Sequence, residues 1–324
     1  MSMHNTVISL LAGAALALGA PASMAADETA DAGLGHDYRT FHTGGQIEYG
    51  RIGDSYSADL VMYLAGNQFM VMEELIQDFQ QKNPDIKTIY VETIPPGQIL
   101  AGQLLKQGEI EGKKTAQNPD VYASVSLAHL KTLADKGLMN DYMIYIHNKL
   151  ELMVAKGNPK GIKGPEDLAR DDLVKSLPNP LTEGIFKFYG AQMLKDLGIY
   201  DKVTDDAKCK SCWAVPGKTW FTSRHHRETP YRIEQGQADV GIVWASEVKH
   251  AQDEGRPIDG VQIPPSYNMQ DKVNYAAGIL AQGRNPYNAQ RYLAYLGTPA
   301  AQAIYAKYGF QEASAADLKF KPLK

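Results

Sequence analysis

Two short segments of the chain carry the residue types best suited to chemistry. In the first, Cys209 and Cys212 are the only cysteines, and two residues separate them. This spacing suits a disulfide, half of a zinc knuckle or a redox pair. Trp213 stands where a haem c attachment site requires His, and a structural zinc site would need a second cysteine pair. We predict a small disulfide loop, formed in an oxidising compartment.

The second segment, residues 223–227, contains two histidines flanked by two arginines. A solvated loop is the commoner interpretation of such a run of cationic side chains. Adjacent histidines also suit a metal ion or a pH-sensitive contact.

The sequence favours a binding protein over an enzyme. It contains no Gly-x-Ser-x-Gly elbow, no complete Gly-x-x-x-x-Gly-Lys-Ser/Thr phosphate loop and no dinucleotide-binding fingerprint. A redox protein that uses the cysteine pair is the best enzymatic alternative, but it lacks the apolar strand that precedes the motif in thioredoxin-like folds. We therefore predict that the protein is not an enzyme and needs no cofactor.

The N-terminal residues have the pattern of a secretory signal peptide. An uncharged apolar run at residues 6–20 is followed by Pro21 and by small residues that end at Ala25. The run is shorter than the roughly 20 residues that span a bilayer. From this pattern we expect cleavage near Ala25 and a periplasmic location. No lipid anchor is expected, because no cysteine stands at the cleavage site.

Length and charge limit the remaining possibilities. Without residues 1–25 about 300 residues remain, which is more than one hydrophobic core usually supports, so two lobes are expected. The formal net charge of −4 comes from 33 basic and 37 acidic residues spread along the chain. This balance argues against a nucleic-acid partner.

A repeated order of strand, tight turn and helix begins at Ala58. It predicts an α/β fold of two lobes, each a mainly parallel sheet flanked by helices, with a ligand cleft at the carboxyl ends of the strands. Apolar strands are predicted at residues 59–65, 86–93, 120–124, 150–155 and 240–244.

The predicted division of the chain follows from these elements. Residues 26–57 show no sustained period of 2 or 3.6 and are predicted to form a mobile or surface-wrapping leader after the signal peptide at 1–25. Residues near 145–148 and 263–274 are candidate crossovers. We therefore assign 58–147 plus 265–324 to the first lobe and 148–264 to the second.

With these elements in place, the chain resembles type II periplasmic binding proteins, most closely the molybdate-binding branch. The motifs that carry the resemblance are LAGN at 64–67, PDVYAS at 119–124, NKLELMVA at 148–155, GQADVGIVW at 236–244 and YLGTPAAQ at 295–302. Their order and spacing cover most of residues 59–311. The resemblance implies a monomer whose two lobes close on a small solute and then dock on the membrane subunits of an ABC importer.

The resemblance also implies where the solute is held. The family's ligand contacts fall on Asn67, Gln98, the backbone near Glu183, the backbone near His226, and Trp244. The family offers hydroxyls at the first two positions and a tyrosine at the last, so this chain departs from it there. If only backbone amides bind at the third and fourth positions, the two side chains are expected at the surface.

Two main classes of solute compete. A tetrahedral oxyanion of the molybdate or sulfate type is favoured, because the amides of Asn67 and Gln98 and the indole of Trp244 all carry N–H donors. Helix N-termini would add partial positive charge. The alternative is a metal or metalloid species bound by His225, His226 and Glu183, or by the cysteines. A neutral or organic anionic solute also stays open.

Overall fold

The computed structural model describes residues 37–106, 109, 112, 114–204, 218–223 and 225–323. In these residues the strands are β1 (Tyr38–His42), β2 (Ile47–Tyr49), β3 (Leu60–Ala65), β4 (Thr88–Ile94), β5 (Val121–Ser124), β6 (Asp141–His147), β7 (Leu150–Ala155), β8 (Lys175–Leu177), β9 (Thr219–Phe221), β10 (Val240–Trp244), β11 (Ile258–Gln262), β12 (Asn274–Ile279), β13 (Gln311–Glu312) and β14 (Lys321–Pro322).

The α-helices of the same residues are α1 (Met72–Lys82), α2 (Pro96–Ile99), α3 (Leu127–Asp135), α4 (Ala191–Asp196), α5 (Tyr200–Thr204), α6 (Glu228–Glu234), α7 (Ala245–Asp253), α8 (Pro286–Leu296) and α9 (Pro299–Lys307). Short 3₁₀ turns occupy Ile52–Tyr56, Gly66–Val71 and Pro165–Ala169, and π-helical turns occupy Leu100–Leu104 and Ile185–Gly190.

The strands form two sheets. The larger has the order β13-β6-β12-β5-β3-β4-β1-β2, with β14 also paired to β6, and the smaller has the order β11-β7-β10-β8-β9. We call the part of the molecule built on the larger sheet lobe 1 and the part built on the smaller sheet lobe 2. The prediction of a two-lobed α/β fold is confirmed, whereas the exact lobe boundaries stay a prediction.

The prediction of mainly parallel sheets is wrong. Strand β3 is parallel to β4 and β5, and β8 is parallel to β9 and β10, but the other pairs are antiparallel. The chain passes from lobe 1 to lobe 2 between β6 and β7 and returns between β11 and β12. The outgoing and returning strands therefore pair antiparallel beside the parallel strands.

Strand β3 shows why the apolar runs were recognisable. All six of its residues are buried. Leu60, Met62 and Leu64 belong to one hydrophobic cluster, whereas Val61 and Tyr63 belong to another on the opposite face. A strand covered on both faces has no polar side, so it reads as a continuous apolar run.

The expectation of a mobile or surface-wrapping leader is wrong for residues 38–42. Strand β1 pairs antiparallel with β4 along all five of its residues, and β2 pairs with β1. Tyr38 and Phe41 are buried in the core. This pairing joins segments about fifty residues apart, so no local period in the leader reveals it.

Two other sequence predictions lie outside the described residues. The structure does not describe residues 1–25 or the pair Cys209 and Cys212. The signal peptide and the disulfide therefore stay predictions. Within the described part, no helix has the length and apolar character needed to cross a bilayer.

Candidate functional site

A small cavity of about 30 Å³ lies between the two lobes. Lobe 1 lines it with residues 65–67, 95–96 and 125, and lobe 2 lines it with residues 183–185, 225–227 and 244. A space of this size holds a ligand of only a few atoms, because pockets for drug-sized molecules measure about 300–1,000 Å³.

The cavity is located where strands end and helical turns begin. Strand β3 ends at Ala65, directly before a 3₁₀ turn, and β4 ends just before α2. A Cβ atom at Gly66 would lie 3.4 Å from the backbone of Ile94, so the loops that follow these two strands approach each other closely. The free backbone N–H groups of such helix starts favour anionic ligands.

Four of the five sequence-predicted ligand residues meet at this cavity. Asn67, Glu183, His226 and Trp244 all line it, whereas Gln98 does not. Gln98 instead lies in the first turn of α2, where its backbone N–H donates to Pro95 O at 2.9 Å. The individual ligand roles of these residues stay a prediction.

Asn67 is connected to the crossover region by hydrogen bonds. Its Nδ2 lies 2.6 Å from Tyr275 Oη, and Nδ2 of Asn148 lies 3.4 Å from the same oxygen. A 180° rotation of the Asn67 amide would let the Tyr275 hydroxyl donate to the amide oxygen and would free the NH₂ group for a ligand. Tyr275 had no signal in the sequence that linked it to the site.

Glu183 is buried and fully hydrogen-bonded, in contrast to the expected surface position. Its Oε1 accepts from the backbone N–H of Asn179 at 2.9 Å and from the hydroxyl of Thr222. Its Oε2 accepts from the backbone N–H of His226 at 2.7 Å and from the imidazole of the same residue. The carboxylate therefore organises lobe 2 and does not present a free negative charge to the cavity.

His226 is also buried, with 8% of its surface exposed. One ring nitrogen contacts Glu183, and Nε2 lies 3.1 Å from Glu247 Oε1. Burial lowers the pKa of His226, but the charges of Glu247 and Glu183 and their hydrogen bonds outweigh burial and raise this pKa to about 10. His226 is therefore an imidazolium at neutral pH.

This arrangement does not suit the alternative metal site. A metal ligand must be a neutral imidazole with a free nitrogen, whereas both nitrogens of His226 face carboxylates. In His225, Nδ1 accepts from the backbone N–H and from Nε of Arg227. Among the described residues no group of three or more His, Cys, Asp or Glu side chains is arranged to hold a metal ion.

The interpretation of residues 223–227 as a solvated loop is wrong for its last three residues. His225, His226 and Arg227 are 3%, 8% and 5% exposed. Each faces a carboxylate from elsewhere in the chain: Asp37 lies near His225 and Arg227, and Glu183 and Glu247 flank His226. A cationic run is buried here because distant acidic residues compensate its charge.

Arg227 is a cavity residue that sequence reasoning did not single out. Its guanidinium lies over the ring of Phe69 at 4.6 Å and donates to Asp37 and to Thr93 O. The only sequence signal was its place beside two histidines in a cationic segment.

Direct contacts join the lobes around the cavity. The hydroxyl of Tyr189 in lobe 2 donates to Val125 O in lobe 1 at 2.5 Å. A Cβ atom at Gly184 would lie 3.5 Å from Val125 Cγ2 and 3.3 Å from Phe188. Trp244 packs against Tyr189 and Tyr275 with ring centroids 5.7 and 6.2 Å apart. The two lobes are therefore closed on the cavity.

The charge of His226 predicts how stability depends on pH. Its pKa is raised from 6.5 to about 10 in the folded chain, so its contribution to stability is complete below pH 6.5 and is lost as pH rises through about 10. We expect the free energy of unfolding, measured in urea from pH 6 to 10, to fall less steeply in His226→Gln than in the wild type. His42→Gln, at a half-buried histidine, is the control for loss of a histidine ring. Equal slopes in all three proteins would contradict the prediction.

Two α/β lobes that close on a small cavity at the carboxyl ends of their strands define a bilobal solute-binding protein of the type II periplasmic kind. The sequence model of the bacterial extracellular solute-binding protein family matches residues 60–311. The chain belongs to this family, which consists of binding proteins.

Individual relatives are more distant. A sulfate-binding protein of Synechococcus elongatus is 27% identical over 175 residues, which are 52% of this chain and 48% of the relative. The chain therefore matches about half the length of that protein. The periplasmic molybdate-binding protein of Azotobacter vinelandii is 20% identical, with a TM-score of 0.62 over 79% of this chain and all of the other. A sulfate-binding protein of Mycobacterium tuberculosis is 18% identical, with a TM-score of 0.59 over 80% of this chain and 88% of the other. These molybdate-binding and sulfate-binding proteins have the same fold as this chain.

Proposed function

We propose that the protein captures a small tetrahedral oxyanion of the molybdate or sulfate type and delivers it to an ABC importer. In this proposal the mature chain is a periplasmic monomer that performs no reaction. The protein contributes a closed binding site, and the membrane subunits of the importer provide transport.

The size of the cavity is the observation that carries the proposal. About 30 Å³ between closed lobes suits a compact ion and is far below the roughly 300–1,000 Å³ of pockets for drug-sized molecules. An oxyanion of one central atom and four oxygens is the chemical class of nutrient that matches a site this small.

The carboxylates beside the cavity are engaged in ion pairs, which favours an anion over a cation. The imidazolium of His226 and the guanidinium of Arg227 are both in the cavity wall, and Glu183, Glu247 and Asp37 compensate their charges. Both oxygens of Glu183 already accept two hydrogen bonds each, so that carboxylate is not available to a metal ion. Asn67 and Trp244 also line the cavity, and their side chains carry neutral N–H groups that can donate to an anion.

The relatives point in the same direction. A sulfate-binding protein is similar in sequence over part of the chain, and molybdate-binding and sulfate-binding proteins share the fold. The signal-peptide pattern supports secretion into the periplasm.

Thermal-shift screening of the mature protein tests the proposal. Molybdate, tungstate, sulfate and phosphate are compared with divalent metal ions and arsenite, since a ligand that binds only the folded state stabilises it by about 2.7 kcal/mol at one hundred times its Kd. We expect stabilisation by at least one tetrahedral oxyanion. Stabilisation by metal ions alone would overturn the proposal.

Replacing Asn67 tests whether the cavity is the binding site. We expect Asn67→Ala to weaken binding of the identified oxyanion about tenfold to a hundredfold in calorimetric titration, because a hydrogen bond to a charged group contributes about 1.5–3 kcal/mol. Gln98→Ala, which changes a residue outside the cavity lining, is expected to change Kd by less than about threefold. Gln81→Ala on the exposed side of α1 is the matched control. An unchanged Kd in Asn67→Ala would place the site elsewhere.

A further inference from the structure

The N-terminal segment makes a contact with the cavity wall that the family match does not include. Asp37, directly before β1, precedes the matched residues 60–311. It is 1% exposed, and its Oδ1 accepts from Nη2 of Arg227. Asp37 directly precedes strand β1 of lobe 1, and Arg227 directly precedes helix α6 of lobe 2. Their ion pair therefore joins the two lobes.

Several further contacts hold Arg227 at the same boundary. From lobe 1, Thr93 O accepts from Nη2 at 3.3 Å, and the ring of Phe69 lies 4.6 Å from the guanidinium carbon. From lobe 2, Nδ1 of His225 accepts from Nε at 3.1 Å. The guanidinium therefore lies between the lobes, with its charge and its flat face both in contact with lobe 1.

Asp37 is held in place by the strand that follows it. Strand β1 pairs with β4 from Tyr38 to His42, and Nη2 of Arg39 donates to Phe69 O at 2.8 Å. The hydroxyl of Thr40 donates to Asp54 at 2.7 Å. These contacts hold the Asp37 carboxylate in place on lobe 1. The residues around Asp37 therefore need no rearrangement when the lobes close.

The physical consequence concerns the closed state. When the lobes separate, Arg227 moves away with α6 and both charges become hydrated. When they close, the two ions lose water and regain the energy through their short contact and the added hydrogen bonds. The pair therefore forms only with the closed conformation, and its contribution appears in the rate of opening.

We infer that Asp37 is a positioning residue for solute capture, which closes on Arg227 as a clasp between the lobes and slows release of the bound solute. The inference rests on the proposed function for the identity of the solute. It adds that a segment before the residues matched by the family model determines how long the solute is retained.

Asp37→Asn tests the clasp by separating release from capture. With the oxyanion identified by thermal shift as the probe, stopped-flow binding is expected to show koff increased about tenfold or more and kon changed less than about threefold, because loss of one partner of a buried charge pair acts mainly on dissociation. Asp37→Glu, which keeps the charge, is expected to restore most of the wild-type koff. Asp54→Asn is the control, since it loosens the same N-terminal segment without a contact across the cleft.

A double-mutant cycle with Arg227→Gln shows whether the effect runs through the pair. We expect the koff of Asp37→Asn/Arg227→Gln to lie well below the product of the two single effects, since the second change no longer breaks the ion pair and removes only the remaining contacts of Arg227 with Thr93 and Phe69. Effects that multiply within a factor of two, or an Asp54→Asn variant with the same koff as Asp37→Asn, would overturn the inference.

A measurement without solute distinguishes failure of the clasp from failure of the proposed function. By small-angle X-ray scattering, the ligand-free Asp37→Asn protein is expected to have a larger radius of gyration than the ligand-free wild type, because a smaller fraction is closed. If no oxyanion binds but this expansion occurs, the clasp stands and the proposed solute is wrong. If an oxyanion binds while koff and the radius of gyration are both unchanged, the solute stands and the clasp is wrong.

Discussion

Replacing Glu183 by glutamine is expected to lower the free energy of unfolding by about 3–5 kcal/mol, since breaking a buried ion pair leaves a buried charge without compensation. The carboxylate accepts four hydrogen bonds, two of them from His226. Glutamine keeps the size of the side chain but removes its charge and one of its acceptor atoms. The imidazolium would then keep only Glu247 as a facing carboxylate.

Urea unfolding at pH 7, followed by tryptophan fluorescence, measures this effect. Glu254→Gln is the matched control, because it removes a half-exposed carboxylate that faces His250 at 3.4 Å; such surface pairs contribute about 0–1 kcal/mol. A loss below about 1 kcal/mol in Glu183→Gln would mean that this cluster does not stabilise the fold.

Placing a leucine at Gly184 is expected to raise the Kd of the solute about a hundredfold while both lobes stay folded. A Cβ atom there already meets Phe188 at 3.3 Å and Val125 of the opposite lobe at 3.5 Å, so the rest of a leucine side chain must enter the space between the lobes. If the wedge lowers the closed population to about one hundredth, the apparent affinity falls by the same factor.

The matched control for the wedge is Gly53→Leu, at an exposed glycine with open space around its Cβ direction. We expect it to bind as the wild type does. Calorimetric titration gives Kd, and circular dichroism shows that the fold is kept. A Gly184→Leu protein with wild-type affinity would show that solute binding does not require the lobes to approach as closely as they do here.

Elements with a local signal could be predicted from the sequence. Strands β3, β7 and β10 coincide with apolar runs that were assigned within one residue. Each is buried on both faces, so the hydrophobic effect that stabilises it is also visible in the order of its residues.

Elements defined by distant partners could not be predicted in this way. Strand β1 exists because it pairs with β4, and its residues have no distinctive period of their own. The same reason explains the error over residues 225–227. A histidine and an arginine in a loop look solvated until Asp37, Glu183 and Glu247 are known to lie beside them.

The candidate site shows both situations. Asn67 and Trp244 follow directly from strand ends, where an α/β fold places ligands, and both line the cavity. Gln98 also follows a strand, but it lies outside the lining: it is four residues beyond the end of β4, whereas Asn67 is two residues beyond the end of β3. Tyr275 and Arg227 reach the site through the return crossover and through an ion pair, and neither connection is local.

The order of strands in the larger sheet sets the order in which the chain can complete its fold. Strand β12 fills the place between β5 and β6, and β6 also takes β13 and β14 as partners. Synthesis begins at the N-terminus, so β5 and β6 are complete more than a hundred residues before β12. Their edges therefore stay open while the whole of lobe 2 is synthesised. Lobe 2 is formed by one continuous stretch and can close its own sheet first. Open strand edges are sites of aggregation, and the C-terminal strands therefore end the period in which the growing chain is most exposed to it.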